Sequence, residues 1–161
     1  MMERGMAIPK KVQEYLKKEK VGYQPIEHSK LFTAAEIAGD QHIPGKKMVK
    51  TVIVKADKDF IMCLVAATHH LDLNKFKKIV KAKEVRLATE EEMKTLFPEC
   101  EVGSEPPFGK LYNLNVFADS TLEQDDEVAF NAGSHTDLIK MRFEEFQRVI
   151  NPKFVEMGVH I

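Results

Sequence analysis

The feature that most constrains the fold is a pair of strand-like segments near the middle of the chain. Residues 48–56 are rich in β-branched side chains, and residues 60–67 are almost continuously apolar. Asp57-Lys58-Asp59 between them is a turn signal, so the two segments are predicted to form a β-hairpin. A strand without polar alternation is typical of burial on both faces. The hairpin is therefore expected to lie at the centre of a sheet.

The rest of the chain mixes helix and strand signals without repeats or an obvious linker. Capping boxes at Thr33–Glu36 and at Thr89–Glu92 each predict a helix start, and Asp72 can cap another helix. Apolar spacing predicts further helices at 8–21 and around 143–150. Further strands are predicted at 23–28, 85–88, 114–118, 127–131 and 138–141. We therefore predict one α/β domain over residues 1–161, with mixed strands and surrounding helices.

Composition limits the classes of protein to which the chain can belong. Of 161 residues, 43% are apolar and 30% are charged, which is ordinary for a globular protein in water. No segment approaches the ~20 apolar residues of a membrane span. The first twenty residues are polar and lysine-rich, with no apolar signal core. A cytoplasmic location without membrane contact is the default expectation.

Cysteine and histidine patterns predict neither a disulfide nor a metal centre. Cys63 lies in the apolar strand and is expected to be a buried small hydrophobe, and its pairing with Cys100 is disfavoured in a reducing compartment. Neither C-x-x-C nor H-E-x-x-H occurs. His69 and His70 are adjacent and would face opposite ways on a strand. We predict no metal and no cofactor.

The net charge of −1 does not indicate a nucleic-acid-binding protein, but the charges are unevenly distributed. Acidic residues gather at 90–92 and 123–127. Such asymmetry could create a basic face for phosphates, although the first and third lysine clusters fit solvated helix faces better. The three lysine clusters are Lys10, Lys11, Lys17, Lys18 and Lys20; Lys46, Lys47, Lys50 and Lys55; and Lys75, Lys77, Lys78, Lys81 and Lys83.

The Lys50-Thr51 pair at the head of the first central strand is one candidate for chemistry. It follows a Pro-Gly turn, so the ammonium could lie at the mouth of a cleft and contact a phosphate or an ester oxygen. The alternative is an edge-strand lysine that deters aggregation.

Two glycine-containing segments are the other candidates. Residues 100–109 hold Gly103, Pro106, Pro107 and Gly109, which let backbone N–H groups approach a ligand; a plain connecting loop is the alternative. Residues 130–137 surround Gly133 with small polar residues, and His135 could move a proton. A structural histidine and ordinary turn residues are the alternative there. No catalytic triad is recognisable from order or spacing.

Several ordered motifs follow one another along the chain, namely Thr33-Ala34-Ala35-Glu36, Lys50-Thr51-Val52-Ile53-Val54, Leu71-Asp72-Leu73-Asn74-Lys75, Arg86-Leu87-Ala88-Thr89-Glu90-Glu91, Glu101-Val102-Gly103, Pro106-Pro107-Phe108-Gly109 and Phe130-Asn131-Ala132-Gly133-Ser134-His135. Together they resemble the YbaK/prolyl-tRNA synthetase-associated domain family over residues 8–149. The Pro106-Pro107-Phe108-Gly109 form is more similar to the free-standing branch of that family than to the synthetase-inserted domain.

The resemblance implies an α/β fold with a curved mixed sheet flanked by helices. It also implies a trans-acting aminoacyl-tRNA deacylase that hydrolyses the ester of mischarged tRNA, for example alanine or cysteine on proline tRNA. The implied partner is the acceptor end of tRNA with its attached amino acid. An aminoacyl-tRNA synthetase is a second candidate partner. A non-catalytic regulatory module that binds a tRNA end or a nucleotide is the alternative.

The resemblance also carries site residues onto this sequence. Lys50, Gly103 and His135 match catalytic positions, and Lys50 is expected to hold the terminal phosphate or hydroxyl. Backbone N–H groups near Gly103 or Gly133 would polarise the ester carbonyl for attack by water. The expected substrate-binding residues are Phe32, Thr51, Pro107, Phe108, Gly109, Asn131, Gly133 and Ser134.

Overall fold

The computed structural model describes residues 8–27 and 44–160. The described helices are α1 (Lys10–Lys18), α2 (Leu73–Val80), α3 (Glu90–Leu96) and α4 (Phe143–Ile150), with 3₁₀ turns at Gly45–Lys47, Gly109–Tyr112 and Ser120–Gln124. The described strands are β1 (Tyr23–Glu27), β2 (Met48–Ala56), β3 (Asp59–Ala66), β4 (His69–Leu71), β5 (Val85–Leu87), β6 (Asn115–Asp119), β7 (Glu127–Asn131), β8 (Asp137–Arg142), β9 (Lys153–Val155) and β10 (Gly158–His160).

The main sheet is mixed, as predicted. Its strands follow the order β1-β8-β7-β2-β3-β6-β9, and β5 pairs with β2 outside this path. Three strand pairs are parallel, namely β2/β7, β3/β6 and β6/β9. The pairs β1/β8, β7/β8 and β2/β3 are antiparallel. Strands β4 and β10 form a separate two-stranded sheet. The predicted α/β class, a mixed sheet with flanking helices, is confirmed.

The central hairpin and the burial of its second strand are confirmed, but the turn is one residue shorter than predicted because Asp59 belongs to β3. Ala56 pairs with Asp59, so the turn needs only two residues, and Asp57 adopts the left-handed conformation with φ 54°. Alternate side chains of β3 enter different cores because a strand points successive side chains to opposite faces. Met62 and Leu64 join one apolar cluster, which includes α1 and α4, and Cys63 and Val65 join another, beneath α2.

The predicted helix starts at Asp72 and Thr89 are confirmed by their capping contacts. The Asp72 carboxylate accepts hydrogen bonds from the N–H groups of Asn74 and Lys75 at 3.0 and 3.1 Å. Thr89 and Glu92 form a reciprocal capping box, in which each side chain accepts from the other residue's backbone N–H. These local contacts satisfy amides that the first helical turn leaves without partners, which is why the sequence signal is reliable there.

Other boundaries shift, and short strands were missed. The first helix ends at Lys18, earlier than predicted, because Lys20 adopts a left-handed conformation with φ 54°. Strands β4, β9 and β10 have three residues each and carry no alternation that the sequence analysis detected. The capping box at Thr33–Glu36 and the helix predicted from it lie outside the described residues.

Asp125, which follows the third 3₁₀ turn, is a buried acid that should make stability depend on pH. It is 7% exposed, and its Oδ2 atom has no hydrogen-bond partner among the described residues. Burial raises the pKa of Asp125 from 3.8 to about 6. The native state therefore binds this proton more tightly than the unfolded chain, so the associated stability is lost as pH rises from about 4 through about 6.

We predict that Asp125→Asn raises the unfolding free energy by about 1–2 kcal/mol at pH 8, after allowance for partial solvent screening. The gain should shrink towards zero below pH 4, where the native carboxyl is already neutral. Urea unfolding at pH 4 and pH 8 measures both values. Asp126→Asn is the control, because the pKa of Asp126 is lowered by its hydrogen bond to Lys47. Equal gains at both pH values would contradict the assigned cause.

Candidate functional site

The candidate site begins at a gap along one edge of the central strand β2. Strand β7 pairs with Met48 and Val49 at the start of that edge, and β5 pairs with residues from Val54 onwards. Strand β3 occupies the opposite edge along the whole length. Ladder pairing on the first edge is therefore interrupted around Lys50, at the carboxyl end of β7. Such breaks in strand order are where α/β sheets form binding crevices.

Lys50 places a cation at this gap. Its side chain is half-buried, and burial lowers the pKa of its ammonium below the ordinary value of 10.5. No carboxylate of residues 8–27 or 44–160 forms a salt bridge with it. Desolvation of a cation without an anionic partner is unfavourable, and such groups are enriched at functional sites. The edge-strand alternative is not supported, because β2 lies inside the sheet.

Asn131 is the residue of β7 that follows the ladder with β2. Met48 and Val49 are in register with Ala129 and Phe130, and continuing that register by one residue aligns Lys50 with Asn131. In-register neighbours share a face, and here it is opposite to the face of Val49 and Phe130. The Asn131 Oδ1 atom is buried and has no hydrogen-bond partner in the part of the chain that the structure describes. An open acceptor thus stands next to an unpaired donor.

Two loops are joined next to this pair, namely residues 101–105 and the bend at 131–137. The Glu101 N–H donates to Gly133 O at 2.9 Å, and the Gly133 N–H donates to Ser104 O at 2.9 Å. Ser134 Oγ donates to Asp137 Oδ2 at 2.6 Å within the bend. All of these polar groups except Glu101 lie in buried residues. The bend is consequently a rigid extension of β7 and holds Asn131 in place.

His135 and Gly103 are in contact because the loop at 101–105 packs against the bend at 131–137. The His135 backbone N–H donates to Glu101 Oε1 at 2.7 Å, and its ring Nε2 lies 2.8 Å from Val102 O. A carbonyl only accepts, so Nε2 carries the hydrogen. A Cβ on Gly103 would lie 3.3 Å from His135 Cε1, and Gly103 has φ +91°. Glycine is therefore needed there for the ring to pack against the loop.

The backbone amides expected to polarise a carbonyl are already engaged. The Gly103 N–H donates to the Glu105 carboxylate at 3.0 and 3.2 Å, and the Gly133 N–H donates to Ser104. The oxyanion role stays a prediction for other N–H groups near Gly103 or Gly133. The Lys50 ammonium is a further donor, without a salt-bridge partner among the described residues.

Several predicted substrate contacts lie elsewhere. Pro107, Phe108 and Gly109 are buried, and Phe108 is a member of the larger apolar cluster. These residues contribute to packing, and their contact with substrate stays a prediction. Alternation along β2 places the Thr51 side chain on the face opposite to Lys50, and its contact with substrate also stays a prediction. Phe32 lies outside the described residues.

Two acids of the loop at 101–105 were not singled out from the sequence, one bonded within that loop and the other to the bend at 131–137. Glu105 is 3% exposed, and burial raises the pKa of its carboxyl although it accepts the Gly103 N–H. Glu101 is exposed as a residue, yet its carboxylate receives the His135 amide. Glutamates are common in this chain, and the only available signal was their position on either side of Gly103-Ser104.

The described residues also bear on the expectations for metal binding, for the two cysteines and for membrane spans. In residues 8–27 and 44–160, no group of three or more His, Cys, Asp or Glu side chains is arranged to hold a metal ion. Cys63 is buried and both cysteines are free, as expected; burial raises the pKa of the Cys100 thiol to about 12. None of the helices in the described ranges is long and apolar enough to cross a membrane.

Comparison with known sequences identifies relatives among synthetases. The chain is 38% identical to the proline–tRNA ligase of Sulfurihydrogenibium sp. (strain YO3AOP1) over 91 aligned residues, and this alignment covers 55% of the chain. It is 34% identical over 84 residues, 52% of the chain, to the proline–tRNA ligase of Bacillus cytotoxicus. In both cases the match spans 15% of the ligase, so it concerns one segment of a much longer enzyme.

Solved structures share the fold. A crystal structure described as a candidate trans-editing enzyme for prolyl-tRNA synthetase matches with a TM-score of 0.82 and 23% identity, over 99% of each chain. A hypothetical protein matches with a TM-score of 0.83 and 22% identity, over 93% of this chain and all of the other. The family model of the aminoacyl-tRNA editing domain matches residues 28–149. The chain therefore belongs to the family of aminoacyl-tRNA editing domains.

Proposed function

We propose that this protein is a trans-acting aminoacyl-tRNA deacylase that hydrolyses the ester of mischarged tRNA. Its substrate would carry a small wrong amino acid, such as alanine or cysteine, on proline tRNA, and it would act in the cytoplasm. Membership of the editing-domain family and the sequence relation to proline–tRNA ligases support this proposal. Residues 1–161 are taken as a single functional domain.

The observation that carries the proposal is the pairing of Lys50 with Asn131. A half-buried ammonium and a buried amide oxygen without a hydrogen-bond partner among the described residues lie at the gap in the sheet. An aminoacyl ester presents the complementary groups, because its carbonyl oxygen accepts hydrogen bonds and its α-ammonium donates them. Lys50 would bind the carbonyl or a neighbouring phosphate oxygen, and Asn131 Oδ1 would bind the ammonium.

Hydrolysis then needs no protein nucleophile. Water adds to the ester carbonyl carbon, and the Lys50 ammonium stabilises the oxyanion that forms. The bond between the carbonyl carbon and the ribose oxygen breaks, and the ribose oxygen takes a proton as the free amino acid leaves. One fixed donor to an oxyanion is worth about 2.7–4 kcal/mol. Positioning of water and ester supplies further acceleration.

His135 and Gly103 are proposed as positioning residues for this step. The Nε2 hydrogen of His135 is already donated to Val102, so proton transfer from that atom would break a contact that holds the loops together. Their role would be to fix the bend that carries Asn131. Selection among amino acids would rest on pocket size, for which one methylene is worth about 1–3 kcal/mol.

The second candidate is a regulatory module that binds a tRNA end without turning it over. One observation favours it, namely that the loop amides next to the site are occupied by internal acceptors. Such a module would protect the ester, whereas an editing enzyme would release amino acid from many equivalents of tRNA.

The proposal predicts multiple-turnover release of amino acid from at least one mischarged tRNA. Alanyl-, cysteinyl- and seryl-tRNA, each with proline tRNA as carrier, would be incubated with substoichiometric protein, and correctly charged prolyl-tRNA is the control. Release from one mischarged species well above the uncatalysed rate, with prolyl-tRNA spared, is the expected result. Slower loss of every ester than in buffer would instead establish the binding module.

A further inference from the structure

A groove lined by lysines lies on the exposed side of helix α2. Lys77, Lys78 and Lys81 line it together with Asn74 and Ala82, and all three lysines are exposed. None of the three forms a salt bridge with a carboxylate of the described residues. Like charges placed together repel each other, and only Lys77 among the three interacts with the nearby Asp57 carboxylate, so the groove keeps an excess of positive charge that favours an anionic ligand.

The groove lies on the same side of the sheet as Lys50. Helix α2 packs through Phe76 onto the cluster that contains Val54 and Val65. Val65 is the register partner of Lys50 on β3, so Lys50 and the residues beneath α2 share one face. The candidate site and the lysine groove are therefore accessible to one ligand approaching from that side.

The first lysine cluster provides a comparison on the other side. Lys10, Lys17 and Lys20 line a groove along α1, about 490 Å³ in volume against about 470 Å³ for the α2 groove. Helix α1 packs through Val12 and Leu16 onto the opposite core, and Glu14 also lines its groove. Of these two grooves, the α2 groove is the one that combines an excess of positive charge with the face of Lys50.

The spacing suits an acceptor stem. The backbone N–H of Lys83, just beyond the groove, donates to Asp57 Oδ1 at 3.0 Å, so the groove lies near the hairpin tip. Six residues of β2 lie between Lys50 and Asp57, so the two are seven residue steps apart, about 23 Å at 3.3 Å per step. That distance is several nucleotides long, so an ester held at Lys50 would bring phosphates of the acceptor stem towards the groove.

We propose that the α2 groove binds acceptor-stem phosphates and thereby positions the acylated end of tRNA at Lys50. This inference rests on the proposed function for the nature of the ligand. Lysines bind phosphates as point charges without reading sequence. The groove thus supplies affinity for any tRNA acceptor stem, and selection of the amino acid is left to the pocket at Lys50.

The test compares two matched triple variants, Lys77→Gln/Lys78→Gln/Lys81→Gln and Lys10→Gln/Lys17→Gln/Lys20→Gln. Each removes three exposed positive charges from a helix and its end, so the change in net charge is identical. The dissociation constant for full-length tRNA without an attached amino acid is measured by fluorescence anisotropy between 50 and 200 mM salt. Circular dichroism verifies that both variants are folded.

The α2 variant is expected to lose about 2–3 units of the salt slope, since each phosphate contact contributes about 0.7–0.9. At 50 mM salt it should bind tRNA at least 10-fold more weakly than wild type, and the α1 variant should remain within about 2-fold. Equal losses in both variants, or none in the α2 variant, would overturn the proposal. Absence of wild-type binding to tRNA would overturn it as well.

Deacylation kinetics separate this proposal from the proposed function. The α2 variant should show a raised KM and an unchanged kcat, because its lysines do not touch the ester. Groove-dependent binding of tRNA without any deacylation would sustain the groove and refute the deacylase. Deacylation with an unchanged KM in the α2 variant would sustain the deacylase and refute the groove.

Discussion

Lys50→Ala is expected to reduce the deacylation rate constant about 100- to 1,000-fold, because it removes the donor that stabilises the oxyanion. The half-buried ammonium has no salt-bridge partner among the described residues, and burial lowers its pKa. Its removal therefore should not lower the free energy of unfolding. Single-turnover hydrolysis of the best substrate and urea unfolding measure the two effects separately.

Lys55→Ala is the matched control for this variant. Lys55 lies on the same strand but faces the opposite side, where its Nζ is 5.5 Å from the centre of the Phe60 ring. It should retain the wild-type rate. The ratio of wild-type to Lys50→Ala rates should also fall as pH rises through the lowered pKa of Lys50, since only the ammonium donates. A rate within 3-fold of wild type for Lys50→Ala would remove Lys50 from the mechanism.

Phe108→Ala should lower the free energy of unfolding by about 3–5 kcal/mol, the range for a buried phenylalanine truncated to alanine. The Phe108 side chain is 1% exposed, and its ring packs edge-on against Tyr15 at 5.8 Å and Phe130 at 5.6 Å between centroids. These two neighbours belong to separate elements, α1 and β7, so the cavity is not expected to collapse fully. Urea unfolding with a constant m-value measures the loss.

Leu87→Ala is the comparison for Phe108→Ala. Leu87 is 55% exposed, so its truncation should change stability by less than about 0.5 kcal/mol. Phe108→Leu retains most of the volume and should remain folded with a KM close to wild type, because the ring does not reach the substrate. A stable Phe108→Leu protein with a strongly raised KM would restore the substrate contact that the motif originally indicated.

Local signals in the sequence predicted several elements well. The Asp72 cap and the Thr89 capping box form contacts within three residues of themselves, so no distant part of the chain is needed to satisfy them. The apolar run of β3 could be identified as doubly buried because neither face of the strand carries polar residues. Three-residue strands such as β9 lack this information, since their pairing depends on a partner strand elsewhere.

The candidate site was predictable in part. Lys50, Asn131, Gly103 and His135 were all singled out, and the structure places the first two side by side and the last two in contact. Phe108 stood in an equally distinctive motif, yet its ring lies in the core. A rigid motif that positions a ligand and one that fixes packing use the same residue types, and burial alone separates them.

What the sequence determined by itself was most of the longer elements, the doubly buried strand of the hairpin and the family of editing domains, because periodicity, caps and ordered motifs are properties of short segments. The tertiary structure decided which groups remain available for chemistry. It engaged the Gly103 and Gly133 amides with Glu105 and Ser104, and it left the Lys50 ammonium without a salt bridge and Asn131 Oδ1 without a hydrogen-bond partner among the described residues. Hydrogen-bond partners distant in sequence are chosen only when the chain folds, and so the donors of the site could not be assigned beforehand.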